Sequence, residues 1–419
     1  MTSDATALTL DSIDLTDYEL WRNGIPHELF TLLRKEAPMW RHPDTPGTKR
    51  LGGGFWILSR HADVHAVSRN HTDFRSLDGP ALSAEQPDQA ALPLVSMDPP
   101  QHTRIRRLIS AGFTPRVMAA LEAQTRKWAI AIIGRALEQN ECDFVHEVAY
   151  KLPMHMIADI VGIPESDRTW LFERVNVLQE ATDSRSNMTP EERKAVQMEM
   201  YSYANQLAAE KRRAPTDDVW TTLAFAEIEE PDGSRTSLSE LELDLFFLVL
   251  TIAGSETTTG AISSGLLALL EHPDQMQRLR ADPSMINTAT DEILRWSSPV
   301  AYFRRTATQD AEIRGARIGA GDRVMLCYAS ANRDEDVFLD PFRFDVTRTP
   351  NPQISFGGGG VHYCLGANLA KKEIRVLFEE LLARVGNIEL VSKPQYSVQG
   401  IENPLTVGLK DLRVRLTPR

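Results

Sequence analysis

Cys364 is the residue that most clearly suggests chemistry, because it follows the run Gly357–Gly360 in the segment SFGGGGVHYCLGANLA. The run is not a phosphate-binding loop, since no Gly-Lys-Ser/Thr follows, and Tyr363 stands where a dinucleotide-binding fingerprint needs a glycine. Such glycines let the backbone approach a ligand closely. The apolar stripe that follows predicts a helix starting near Cys364, whose N-terminus would favour a thiolate. Taken alone, the segment is equally typical of a buried structural cysteine beside a flexible turn.

A candidate proton relay lies in TIAGSETTTG, within the apolar stretch Leu245–Leu270 in which Glu256 is the single charge. Gly254 interrupts the predicted helix, and the Thr257 hydroxyl adjoins the acid, a pair suited to moving protons. A helix distorted only for packing is the alternative. The stretch is long enough to span a membrane. Its central acid, its several Ser and Thr residues and its lack of aromatic or basic flanks favour a helix buried in a soluble core.

Two sets of charged residues have helical spacing. Glu292 and Arg295 in DEILRW stand at i,i+3, so their side chains can meet, and Arg343 in DPFRFD could join them in a buried ion network. His102 and Arg106 in MDPPQHTRIRRL stand at i,i+4 on one helix face, an arrangement that can bind an anion. Solvated pairs on a helix surface are the alternative interpretation of both sets.

The overall composition is that of an ordinary globular enzyme or binding protein. The chain has 419 residues, of which 42% are hydrophobic and 7% aromatic, enough for a sizeable core. A net charge of -12 argues against broad nucleic-acid binding. Cys142, Cys327 and Cys364 are too few and too scattered for a disulfide framework or a Cys-x-x-Cys metal site. The polar, acidic start MTSDATALTLDSIDLTD has no secretory signal, so we expect a cytoplasmic protein.

The elements that must position these residues are mainly helices. Helical periodicity dominates from about residue 102 to 296, including the amphipathic segments RVMAALEAQTRKWAIAIIGRALEQ and PEERKAVQMEMYSYANQLAAEKRR. Short strands are predicted in GGGFWILSR, AEIRGARI and DRVMLCYA, and Arg75–Met97 is predicted to be a long loop. The chain shows no repeat or low-complexity linker. We therefore predict one domain over residues 1–419, mainly α with small β-sheets near both ends.

In this order, the four motifs resemble those of the cytochrome P450 family over nearly the whole chain. The resemblance implies the P450 fold, with haem b (iron protoporphyrin IX) between the long central helix and the helix after the Cys loop. It implies that Cys364 is the axial ligand of the haem iron and that Glu256 and Thr257 deliver protons. It also implies a structural network and a set of propionate ligands. The network would be Glu292, Arg295 and Arg343, and the propionate ligands His102, Arg106, Arg305 and His362, with Arg304 as the alternative to Arg305.

The Cys loop also suggests a subgroup. Phe356 and Cys364 are eight positions apart, one more than in the commoner bacterial loop, and this resembles the actinobacterial hydroxylases of sterol side chains and methyl-branched lipids. Ser255, Thr259 and Gly260 depart from the pattern of that subgroup.

The implied activity is insertion of one oxygen atom from O₂ into a C–H bond of a sterol, branched lipid or terpenoid. NAD(P)H would supply two electrons through ferredoxin reductase and ferredoxin. Arg75–Met97 and the helices over Trp170–Arg213 would form a mobile lid, and Ser298–Phe303 would line an apolar pocket. The alternatives are a non-catalytic haem-binding or ligand-sequestering protein and a peroxide-driven haem enzyme. The intact acid–threonine pair argues against both.

Overall fold

A computed structural model describes residues 9–10, 13–83, 92–110, 112, 115–183, 185–230, 232–400 and 404–419. Helices make up most of the regular structure, as the sequence predicts. Their bounds are α1 (His27–Glu36), α2 (Pro46–Arg50), α3 (His61–Arg69), α4 (Gln101–Ser110), α5 (Pro115–Gln139), α6 (Lys151–Val161), α7 (Glu165–Glu180), α8 (Pro190–Arg213), α9 (Val219–Ala224), α10 (Glu240–Glu271), α11 (Pro273–Ala281), α12 (Ile286–Ser297), α13 (Tyr328–Ala331) and α14 (Ala367–Arg384).

The strands are short and form small sheets. Their bounds are β1 (Met39–Arg41), β2 (Trp56–Leu58), β3 (Phe74–Arg75), β4 (Glu141–Asp143), β5 (Glu227–Glu229), β6 (Arg235–Ser237), β7 (Phe303–Ala307), β8 (Ala311–Ile313), β9 (Ala316–Ile318), β10 (Arg323–Leu326), β11 (Val385–Leu390), β12 (Gln395–Gln399), β13 (Thr406–Asp411) and β14 (Arg413–Pro418). One sheet has the order β1-β2-β10-β7-β3 and another β11-β14-β4, while β5–β6, β8–β9 and β12–β13 are two-stranded. The prediction of a mainly α fold with small sheets is confirmed.

Local sequence signals explain where the long helices begin. The predicted amphipathic segments form α5 and α8, and α8 starts with Pro190 after a capping box between Thr189 and Glu192. A second capping box, between Ser239 and Glu242, starts the long helix α10. Each box satisfies backbone N–H groups that have no partner within the helix. The predicted strands appear as β2, the β8–β9 hairpin and β10.

Helix α10 is the central element of the interior. In the described residues it is the one helix long and apolar enough to cross a membrane, by length and hydropathy alone. It packs against α6, α8 and α12, and two glycines allow the close approach of its neighbours. A Cβ at Gly265 would lie 2.7 Å from Ile293 Cγ2, and one at Gly254 would lie 3.2 Å from Ile157 Cδ1. These contacts are typical of the core helix that the sequence predicts.

Candidate active site

Cys364 lies in the loop ahead of α14 rather than at the helix start that the sequence predicted. Its N–H donates to the Phe356 carbonyl at 3.0 Å, and its side chain lines a cavity against α10. Burial raises the pKa of the thiol. The backbone N–H groups of Gly366 and Ala367 and the charge of Arg106 act in the opposite direction. Burial therefore outweighs the expected stabilisation of the thiolate by the helix N-terminus.

The glycine run fits the loop between the cavity and α3. Gly357, Gly358 and Gly359 line the cavity, and Gly360 has a φ of +76°, which a side chain rarely adopts. A Cβ at Gly360 would lie 2.7 Å from the Ser68 carbonyl oxygen, and one at Gly358 would lie 2.8 Å from the Ser68 Cβ. Gly358 and Gly360 are thus needed for the close approach of this loop to the C-terminal part of α3.

Helix α10 forms the opposite wall of this cavity. Ala253, Gly254 and Thr257 lie along it, and the Thr257 hydroxyl donates to the Ala253 carbonyl at 2.8 Å. Such a bond to the i−4 carbonyl bends a helix locally. Most of the other residues that line this side are apolar. They include Leu94, Val95, Phe246, Val249, Leu250, Ala261, Val300 and Phe303.

Glu256 points to the other side of α10. It lines a polar pocket between α7, the β12–β13 hairpin and α10, and Thr257 borders this pocket as well as the Cys364 cavity. The Thr406 hydroxyl donates to Glu256 Oε1 at 2.5 Å. Burial raises the pKa of Glu256, and the hydrogen bond from Thr406 opposes this shift. Thr257 and Pro299 thus border both spaces, whereas Glu256 lines the polar pocket.

The predicted propionate ligands meet at one end of the Cys364 cavity. His102, Arg106, Arg305 and His362 all line it, and the two histidine rings lie 4.4 Å apart between centroids. Burial and the neighbouring arginines lower the pKa of His102 to about 4 and that of His362 to about 2. These side chains come from α4, β7 and the Cys loop, which are distant in sequence.

Arg305, not Arg304, faces the cavity. The two residues are neighbours on β7, so their side chains point to opposite faces of the sheet. The Arg304 guanidinium donates to the Ser83 carbonyl at 3.2 Å and to the Thr306 hydroxyl at 3.3 Å. The Arg305 side chain is buried and donates to the Arg304 carbonyl at 2.8 Å, which leaves other N–H groups to meet a ligand.

The donor set of this cavity fits the haem that the sequence predicts. Both ring nitrogens of His102 are buried and lack a hydrogen-bond partner within the described residues. Buried polar atoms of this kind normally have partners, so His102 is poised to bind a polar ligand. With the guanidinium groups of Arg106 and Arg305, it fits the two carboxylates of haem b. Cys364, whose thiolate can bind iron, and the apolar α10 wall fit the iron and the porphyrin ring.

The structural network contains a different arginine from the one predicted. Glu292 is fully buried and accepts from Arg295 Nε and Nη2, both at 2.7 Å. The third member is Arg348, whose Nε lies 3.1 Å from Glu292 Oε2. The Arg343 side chain is exposed, and this residue contributes its main-chain carbonyl, which accepts from Arg295 at 3.3 Å. The assignment of Arg343 to the ion network was therefore wrong, because Arg343 ends a turn, in which its N–H donates to the Asp340 carbonyl at 3.0 Å, and its side chain lies in solvent.

Sequence reasoning also missed Thr406 and Glu373. Glu373 lies on α14, is buried, and lines the Cys364 cavity from the side of that helix, where burial raises its pKa to about 8. It stands next to Ile374, one of the predicted apolar stripe residues, so its position on the helix was the available signal. Thr406 carried no sequence signal, since its partner Glu256 is 150 residues away.

Comparisons with known proteins identify the family and the fold. Residues 138–386 match the family model described as cytochrome P450. The chain is 43% identical over 400 residues to cytochrome P450 126 of Mycobacterium tuberculosis, covering 94% of this chain and 95% of that protein. It is 37% identical over 415 residues to the steroid C26-monooxygenase of Rhodococcus jostii, covering 96% and 84% of the two chains.

Two further relatives extend the comparison. The methyl-branched lipid omega-hydroxylase of Mycobacterium tuberculosis is 39% identical over 392 residues, covering 91% of this chain and 90% of that protein. A solved structure of a Mycobacterium marinum cytochrome P450 in complex with pseudoionone has a TM-score of 0.86 and 36% identity, covering 98% of this chain and 100% of that chain. With the thiol, the polar cluster and the long helix in place, the chain belongs to the cytochrome P450 family and is a haem-dependent monooxygenase.

Proposed function

We propose that the protein hydroxylates a hydrophobic molecule, a sterol side chain, a branched lipid or a terpenoid. The observation that carries this proposal is the apolar wall beside Cys364, which extends from α10 to Val300 and Phe303. An apolar cavity of this kind binds hydrocarbon by removing it from water. Val300 and Phe303 belong to the segment Ser298–Phe303 that the sequence singled out for this role.

The named relatives support the substrate class. One is a steroid C26-monooxygenase and another a methyl-branched lipid omega-hydroxylase, and both share more than a third of their aligned residues with this chain. The solved structure with pseudoionone adds a third small, largely hydrocarbon ligand. The extra glycine in the Cys loop supports the same subgroup. Together they favour a substrate with a long or branched hydrocarbon part.

The residues of the cavity have separate roles in holding haem. Cys364 would bind the iron through its thiolate, and His102, Arg106, Arg305 and His362 would hold the propionates. The chemistry that haem supplies when bound is activation of O₂, which thiolate ligation directs towards O–O cleavage. The network of Glu292, Arg295 and Arg348 would hold the segment before the Cys loop against α12.

Glu256 and Thr257 would deliver the protons of the reaction. In the overall reaction one oxygen atom enters a C–H bond, and the other leaves as water with two protons and two electrons. Glu256 borders the polar pocket and can exchange protons with water there. Thr257 borders the pocket and the cavity, so its hydroxyl can pass hydrogen bonds from one to the other.

The electrons and the lid are further parts of the proposal. We propose that NAD(P)H supplies the electrons through ferredoxin reductase and ferredoxin, in the cytoplasm.

The lid would include the loop Arg75–Met97, of which residues 84–91 lie outside the described residues, and helices α7 and α8. Leu94 and Val95 of that loop line the cavity, which supports a role of the loop in substrate entry.

A reconstituted assay tests this function. Purified haem-loaded protein, surrogate ferredoxin, ferredoxin reductase and NADPH are incubated under ¹⁸O₂ with a sterol, a methyl-branched fatty acid and a terpenoid, each measured separately by mass spectrometry. We expect a product carrying one ¹⁸O atom from at least one class, and no product from Cys364→Ser.

Two outcomes would contradict the proposal and favour its alternatives. Spectral binding of all three classes without any product would favour a ligand-sequestering protein. Product formation with hydrogen peroxide alone, and none with NADPH and the redox proteins, would favour the peroxide-driven enzyme.

A further inference from the structure

The β12–β13 hairpin lies directly against α10 beside Glu256. Gly408 on β13 faces Gly260 on α10, and a Cβ at Gly408 would lie 3.7 Å from the Gly260 Cα. The absence of side chains at both positions brings the strand backbone close to the helix. The adjacent hydroxyl of Thr406 therefore reaches the carboxyl group of Glu256, at 2.5 Å between Oγ1 and Oε1.

The backbone around Thr406 is fixed on both sides. Thr406 pairs with Gln399 in the hairpin, and it forms a bridge with Val300, which lines the Cys364 cavity. The Ala301 N–H donates to the Leu405 carbonyl at 2.9 Å. Because the backbone of Thr406 is held by these contacts, its hydroxyl can occupy few positions. The direction of its hydrogen bond to Glu256 is therefore fixed.

Glu256 is held on the side of the polar pocket. Its side chain lines that pocket, whereas the described residues that line the Cys364 cavity include Thr257 and not Glu256. The bond from Thr406 draws the carboxyl group towards the hairpin, away from the cavity. An acid that turned freely into the cavity would lose contact with the water from which it takes protons.

We propose that Thr406 is a positioning residue that holds the carboxyl group of Glu256 in the polar pocket, poised to collect protons for Thr257. Thr406 acts through Glu256 and touches neither the substrate nor the cofactor in this role. The inference rests on the proposed role of Glu256 in proton delivery.

The hydrogen bond also determines how Glu256 titrates. A donor to the carboxylate stabilises the ionised form, so loss of the Thr406 hydroxyl raises the pKa of Glu256 further. The other titratable or charged groups lining the pocket come from the segment before α6, from α7 and the residues after it, and from β13. They are His146, Tyr150, Glu180, Asp183, Arg185 and Lys410. Asp183 and Arg185 are paired at 2.8 Å.

The test is a pH titration of the resting ferric protein by infrared difference spectroscopy. The carbonyl band of protonated Glu256 is assigned as the band lost in Glu256→Gln. We expect its titration midpoint to rise by about one pH unit in Thr406→Val, a tenfold change in proton affinity, and to stay at the wild-type value in Thr406→Ser. Thr406→Ala should behave as Thr406→Val and gives the same test if the valine variant does not fold.

Ser397→Ala is the matched control. Ser397 lies on β12 in the same pocket, but its hydroxyl bonds to Asp183 at 3.1 Å rather than to Glu256. The control should leave the Glu256 midpoint unchanged. A wild-type midpoint in Thr406→Val and Thr406→Ala, or a shift as large in Ser397→Ala, would overturn the proposal.

A second measurement tests whether the position of the Glu256 carboxyl group affects the reaction. With a substrate that the protein hydroxylates, we expect product per NADPH to fall at least twofold in Thr406→Val and to recover in Thr406→Ser. Equal coupling in all three proteins would overturn the positioning role. Because the infrared titration needs no turnover, it tests the bond from Thr406 to Glu256 even if the proposed hydroxylation fails.

Discussion

Removal of the Arg348 guanidinium should destabilise the protein, whereas removal of the Arg343 guanidinium should not. Arg348 is 10% exposed and donates to Glu292, which is fully buried. It also donates to the carbonyls of Leu339 at 2.7 Å and Arg343 at 2.9 Å, so one side chain ties the loop before the Cys loop to α12. Arg343 itself is exposed and offers the network its carbonyl, which an alanine retains.

The expected loss of unfolding free energy depends on the hydrogen bonds that Glu292 keeps when Arg348 is removed. Breaking a buried ion pair by removing one partner costs about 3–5 kcal/mol. Because Arg295 keeps two bonds to Glu292 at 2.7 Å, we take the lower end, about 3 kcal/mol. An unfolding entropy of about 2.1 cal/mol/K per residue gives about 0.9 kcal/mol/K for 419 residues. Arg348→Ala should therefore lower Tm by about 3 °C.

The assay compares wild type, Arg348→Ala and Arg343→Ala by thermal unfolding, followed by circular dichroism. Arg343→Ala is the control, and its effect should stay within about 0.5 kcal/mol, as for other exposed sites. The ratio of haem to protein absorbance after purification is the second readout and should fall only in Arg348→Ala. If Arg343→Ala lowered Tm or haem content as much as Arg348→Ala, the assignment of the network to Arg348 would be refuted.

Four other predictions address the cavity and the long helix. Cys364→Ser should abolish the thiolate-type absorbance band of the reduced CO complex, and an unchanged band would exclude this residue as the iron ligand. Thr257→Ala should divert NADPH electrons into hydrogen peroxide, measured as peroxide per NADPH; wild-type coupling would count against its role in proton delivery. Gly360 and Gly315 share a φ of +76°, but only at Gly360 would a Cβ lie near another backbone segment. Calorimetry should therefore show a loss of unfolding free energy of about 3 kcal/mol in Gly360→Ala and of about 1 kcal/mol in Gly315→Ala. Burial raises the pKa of Asp244 from 3.8 to about 6, so its ionised form weakens the fold as pH rises; Asp244→Asn should have a higher urea midpoint than wild type at about pH 8 and an equal one at about pH 3, below both pKa values.

The helices were predictable because their signals are local. Periodicity located α8, and the predicted amphipathic segment begins at Pro190, the residue at which the helix starts. The apolar composition of α10 and the position of Cys364 in a glycine-rich loop also appear in the sequence without any long-range information. Together with the Glu292–Arg295 and His102–Arg106 motifs, these features sufficed for the fold class and for the family.

The pairings within the site were not predictable in the same way. Arg343 and Arg348 are both arginines in one irregular segment, and the choice between them depends on which side chain the turns direct to Glu292. The bond between Thr406 and Glu256 joins residues 150 positions apart, and its basis is the approach of a hairpin to a helix. Tertiary packing decides such contacts, and neither periodicity nor propensity carries that information.

The pairing of β4 with β14 has a consequence for the order of assembly during synthesis. Glu141–Asp143 emerges from the ribosome well before Arg413–Pro418, with which it pairs, and Glu256 likewise precedes Thr406. Contacts of such long sequence separation form late and slow folding. The helices made first must therefore persist without their partner strands and without the Cys364 loop. Capture of haem by the completed cavity is accordingly a late event in the biogenesis of this protein.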